Sequence, residues 1–111
     1  MFNSPDGLAF DSTGLLWIQT DGSYKNEGDF AGMGNNQMLI GDPETGEIKR
    51  FLVGPKECEI TGITWSADRR TVFVGVQHPG EKGGSSFPGG DGSVPRSCVI
   101  AIKREDGGLI G

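Results

Sequence analysis

Pro5-Asp6-Gly7-Leu8-Ala9-Phe10, then Asp11 to Gly14, then Leu15-Leu16-Trp17-Ile18 forms a pattern that returns later in the chain. Its echo is Ile60-Thr61-Gly62-Ile63-Thr64-Trp65, then Ser66 to Arg70, then Thr71-Val72-Phe73-Val74. Gly7 falls on Gly62, and Trp17 falls on Phe73 with one inserted residue. A tandem repeat organises a whole fold, so it is read before any single strand. Each copy continues into a long polar, Gly-rich stretch, 21–36 in the first and 78–96 in the second, then an apolar run and a tight turn. Met38-Leu39-Ile40 leads into Asp42-Pro43-Glu44-Thr45-Gly46, as Val99-Ile100-Ala101-Ile102 leads into Arg104-Glu105-Asp106-Gly107-Gly108.

The runs are short, β-branched or aromatic, and bounded by Asp, Gly, Pro and Asn, which is the chemistry of strands and hairpins. The expected strands are Leu8 to Phe10, Leu15 to Thr20, Gln37 to Asp42 and Glu47 to Val53, then Glu59 to Trp65, Thr71 to Gln77, Ser97 to Lys103 and a stub at Leu109-Ile110. The fold class is therefore all-β. Two four-stranded antiparallel units in tandem, 1–55 and 56–111 with the second incomplete, read as β-propeller blades. A propeller closes with about four to eight blades. The chain is accordingly expected to be a fragment of a larger propeller, with a small all-β domain that self-associates as the competing expectation.

Composition agrees. The 111 residues fit one domain, and 20 Gly with 6 Pro leave little room for long helices. Ten Lys and Arg against fifteen Asp and Glu give a net charge of -5, which disfavours nucleic acid and anionic membranes and makes cations the natural ligands. No stretch approaches the roughly 20 apolar residues of a membrane span, and no leader precedes the first strand. Cys58 and Cys98 are too few for a disulfide framework.

In an up-and-down meander, successive connections alternate between the two ends of the sheet. The turns 11–14, 42–46, 66–70 and 104–108 share one end. The long stretches 21–36 and 78–96, the link 54–58 and the lead-in 3–6 share the other, and long loops on a rigid scaffold are where binding groups gather. That end collects Asp6, Asp21, Asn35, Asn36, Glu57, Glu59, Gln77, His78, Asp91 and Arg96. Oxygen donors suit hard cations, and carboxylate mixed with imidazole or thiolate suits iron or manganese.

Each candidate has two readings. Glu59 begins the innermost strand of the second unit and is either a metal ligand or an ordinary acid at a strand start. Asp6 in Pro5-Asp6-Gly7 and Asp21 in Gln19-Thr20-Asp21-Gly22 are either ligands or turn formers. His78, the chain's one histidine, is a general acid, a phosphate donor, a ligand or a structural hydrogen-bond partner. Arg96 either clamps an anion or pairs with an acid. Cys58 is either a thiolate ligand or a small buried hydrophobe. Asn35-Asn36 orders its loop, and 80–92 reads as a flexible Gly-rich surface loop without the Gly-Lys-Ser/Thr of a P-loop.

Asn3 to Asp11, Leu16-Trp17-Ile18-Gln19-Thr20-Asp21-Gly22, Gly34-Asn35-Asn36-Gln37-Met38, Glu59-Ile60-Thr61-Gly62, Gln77-His78-Pro79-Gly80 and Pro95-Arg96-Ser97 occur in this order. Together they resemble the C-terminal part of the PhoX-type alkaline phosphatases. The resemblance implies a six-bladed propeller enzyme, periplasmic or secreted, that hydrolyses phosphate monoesters with calcium and iron at the mouth of its channel. Metal ligands then map onto Glu59, Asp21 and Asp6, and His78 and Arg96 take the catalytic positions beside the phosphate. The family's iron-ligating cysteine matches neither Cys58 nor Cys98, so the isolated chain is expected to be inactive and to pack on neighbouring blades or on itself. Two other readings stay open: a gluconolactonase-like propeller with a single divalent ion on Asp6, and a non-enzymatic interaction module.

Overall fold

A computed structural model describes residues 5–22, 35–81 and 83–111. Most of the first long loop, the lead-in Asn3-Ser4 and the Gly34 of the third motif lie outside these. Seven strands form two antiparallel meanders, and no helix occurs among the described residues. β1 (Pro5–Phe10), β2 (Leu16–Thr20), β3 (Gln37–Gly41) and β4 (Ile48–Val53) pair in chain order in the first sheet. β5 (Glu59–Trp65), β6 (Thr71–Gln77) and β7 (Cys98–Lys103) do so in the second. This is the blade-like architecture that the repeat predicts, with three strands in the second sheet.

The sheets face each other across one core. Period-2 alternation sends Trp17 and Met38 inward from the first sheet and Ile60, Val72, Val74 and Val76 inward from the second. A bulge between Thr61 and Ile63 turns both Ile60 and Ile63 to that core, with Gly62 at φ 54° absorbing the extra residue. Trp17 meets Phe51 and Trp65 edge to face, with ring centroids 5.0 and 6.0 Å apart.

Strand boundaries shift for identifiable reasons. β1 reaches back to Pro5, which opposes Thr20 across a bulge at Asp6. Leu15 stays outside β2 because its N–H goes to the Asp11 carboxylate at 3.1 Å. The expected stub at Leu109-Ile110 is not a strand. Ile110 instead donates its N–H to Arg69 O at 2.7 Å and buries its side chain in the inter-sheet core. Ser12 Oγ holds Gly111 O at 2.9 Å, so the tail fastens the turn ends of both sheets together.

The described part of the 80–96 loop carries hydrogen-bonded turns: Gly83 N to Gly80 O at 2.8 Å, Gly90 N to Ser86 O at 2.8 Å, and Arg96 N to Phe87 O at 3.0 Å. Among the described residues no helix is long and apolar enough to cross a membrane.

Candidate metal centre

At the long-loop end the first strands of the two sheets come together, since β5 packs beside β1, β2 and β3. Asp6 projects from the bulge in β1, Asp21 follows the last residue of β2, and Glu59 opens β5. One carboxylate oxygen from each lies within 4.8 Å of the other two. Asp6 and Asp21 are exposed, and Glu59 is half-buried. Burial pushes the Glu59 carboxyl above its usual range, and the negative charge of Asp21 pushes it further, against the lowering pull of His78. Three acids held this close repel one another, and a bound cation relieves that repulsion.

The donor set is all oxygen, which fits a hard divalent cation. Cys58 precedes Glu59 but belongs to the core, fully buried, with its thiol pushed up to about 11 mainly by that burial. A soft thiolate is therefore absent from this cluster, and Cys58 behaves as a small buried hydrophobe.

His78 sits beside the acids. It adopts φ 40°, which turns the chain out of β6. Its Nε2 lies 3.3 Å from Glu59 Oε2, and its Nδ1 lies 3.2 Å from Glu57 O and 3.5 Å from Glu81 Oε2. Both ring nitrogens thus face pure acceptors, an arrangement that suits the doubly protonated ring. Burial works against the imidazolium, but the Glu57 carbonyl and the Glu59 carboxylate outweigh it and raise the pKa. The loop after His78 is docked on the β4–β5 link: Gly80 donates to Lys56 O at 3.0 Å, and Gly84 N–H bonds to the Glu57 carboxylate.

Arg96 is exposed, and its backbone N–H donates to Phe87 O at 3.0 Å. Among the described residues the structure does not bring its guanidinium to the acids. Asn36, read from the sequence as a residue that orders its loop, also ties that loop to the start of the second sheet. Its Oδ1 accepts from Thr20 Oγ1 at 2.9 Å and Gly22 N at 2.8 Å, and its Nδ2 donates to Gly22 O at 3.2 Å and Cys58 O at 2.9 Å. Its bonding partners lie 14 to 22 residues away in the chain, so no local pattern marks it.

A family model, alkaline phosphatase PhoX, matches residues 1–80. The chain belongs to the PhoX alkaline phosphatase family. The solved structure of Pseudomonas fluorescens PhoX in complex with vanadate, a transition state analogue, is similar to this chain with a TM-score of 0.94 and 66% sequence identity, covering 99% of this chain. The chain spans 19% of the length of that PhoX. A search of curated proteins found no match. The resemblance carried by the ordered motifs is thus upheld for the family and for its all-β fold.

Proposed function

We propose that this chain is one sector of a PhoX-type phosphomonoesterase, a propeller whose further blades lie outside these two sheets, in which Asp6, Asp21 and Glu59 hold a calcium ion at the channel mouth. The convergence of the three carboxylates within 4.8 Å carries the reading. A cation there polarises a phosphoryl oxygen and offsets charge on the equatorial oxygens during transfer. Glu59 supplies a carboxylate whose orientation His78 fixes through Nε2. Arg96, exposed on the loop at the same end, is the anion clamp of this reading. Iron is held by residues outside this chain in this reading, since the family's iron-ligating cysteine matches neither Cys58 nor Cys98.

Phosphate monoesters are the proposed substrate class. Support comes from the family and from the similar PhoX, which was solved with a transition state analogue. The same membership favours a phosphatase over a gluconolactonase-like enzyme or an interaction module, and favours export to the periplasm or beyond. Leu8, Phe10 and Val99, 61 to 71% exposed, support packing of both outer sheet faces on neighbouring sheets or on a second copy. The isolated chain, with one sector of a multi-blade site, is inactive in this account.

The test is p-nitrophenyl phosphate hydrolysis, with metal content, on the chain and on a full-length PhoX polypeptide containing it. Calcium-dependent hydrolysis by the longer protein alone is the expected result. A longer protein without hydrolysis or bound metal would overturn the reading.

A further inference from the structure

We infer that Asn36 is the positioning residue that sets the gap between Asp21 and Glu59, and with it the size of cation the cluster accepts. The inference rests on the calcium-site reading above. Asp21 follows β2 of one sheet and Glu59 opens β5 of the other, so no strand ladder fixes one against the other. Asn36 supplies that link. On one side it grips Thr20 and both backbone groups of Gly22, the two neighbours of Asp21. On the other it holds the carbonyl of Cys58, the residue before Glu59.

A carboxamide offers two donor hydrogens and two acceptor lone pairs, and here all four are used. Asn36 is 6% exposed, and its own carbonyl accepts Gly54 N–H at 2.8 Å, so the amide sits on fixed backbone. Aspartate at this position keeps the acceptor and loses both donors. Alanine loses all four bonds.

The consequence is for size. Calcium accepts oxygen ligands at about 2.3–2.6 Å in flexible geometry, whereas magnesium demands about 2.0–2.1 Å and near-ideal octahedra. Three mutually repelling carboxylates held at a preset spacing discriminate between the two. Released from Asn36, they adjust to either ion. Residues outside the ligand shell that orient ligands typically change metal affinity by about 10- to 100-fold when removed.

The experiment is calorimetric titration of the chelator-stripped full-length protein with calcium and, separately, with magnesium. Asn36→Ala is expected to lower calcium affinity by about 10-fold or more while magnesium affinity changes far less, so the calcium-to-magnesium ratio falls. Thr20→Val removes one of the four bonds, together with the Gln37 N–H bond to the same hydroxyl, and keeps the amide; the ratio falls in the same direction by a smaller factor. This variant carries the test if Asn36→Ala does not fold. Trp17→Phe, a core change remote from the acids, lowers thermal stability and leaves the ratio at the wild-type value. A wild-type ratio in Thr20→Val and Asn36→Ala, or an equal fall in Trp17→Phe, would overturn the inference. Glu59→Gln separates the two levels: loss of calcium binding there with an unchanged ratio in the Asn36 and Thr20 variants sinks the inference alone, and unchanged calcium binding in Glu59→Gln sinks the site and the inference together.

Discussion

The Glu59 carboxylate and the His78 imidazole meet at 3.3 Å, Oε2 to Nε2, while the other ring nitrogen faces the Glu57 carbonyl at 3.2 Å. This geometry favours the imidazolium in the folded state. Although burial opposes the charge, the acceptors raise the pKa of His78 above 6.5. A folded-state value above the unfolded one means the contribution is fully present below about pH 6.5 and is lost as pH rises through the folded value. In metal-free protein, the stability difference between wild type and His78→Gln is therefore expected to be largest below pH 6.5 and to shrink above it. Thermal melts between pH 5.5 and 8.5 check this; a flat or rising difference would contradict it.

Asp11 gives the opposite sign. Its carboxylate accepts from Thr13 N at 2.8 Å, Thr13 Oγ1 at 2.6 Å and Leu15 N at 3.1 Å through one oxygen, and from Trp17 Nε1 at 2.9 Å through the other. Burial pushes its pKa up, but these four donors together bring it below 3.8. The stabilisation is present above pH 3.8 and lost as pH falls through the folded value. Asp11→Asn is expected to cost about 1–3 kcal/mol at neutral pH, measured by denaturant unfolding, with the deficit narrowing at acid pH.

Gly54 lies where the β4–β5 link passes the amide clamp. A Cβ there would press on Cys58 Sγ and come within 2.8 Å of Ile60 Cδ1 and 3.1 Å of Asn36 O. Gly54→Ala is expected to destabilise by about 1–3 kcal/mol through overpacking. Because the strain falls on Asn36 and Cys58, calcium affinity should fall with it. A stability loss with wild-type calcium affinity would show that the link and the acids are uncoupled.

The two thiols should differ in reactivity. Cys58 is fully buried with its pKa pushed up to about 11, whereas Cys98 is half-buried. At pH 8 iodoacetamide is expected to label Cys98 first and to reach Cys58 only on unfolding. Peptide mass mapping after timed labelling reads this directly.

The strands and the functional end were legible because both follow from local signals. Alternating apolar runs fixed the faces, and the parity of a meander put Asp6, Asp21 and Glu59 at one end without any distance information. What local signals lack is the contact between sheets. Asn36 reads as a loop residue until Gly22 and Cys58 are seen on its amide. Leu109-Ile110 reads as a strand because its apolar character serves a core anchor equally well. Asp11 reads as a turn former, and its bond to Trp17 shows that the turn also fixes the central aromatic of the core.

The most direct test of the central claim is the calcium content of the full-length protein, wild type against Glu59→Gln, determined by mass spectrometry after dialysis and paired with p-nitrophenyl phosphate turnover. Glu59→Gln is expected to lose one calcium per protein together with most of its activity. Wild-type calcium content and turnover in Glu59→Gln would contradict it.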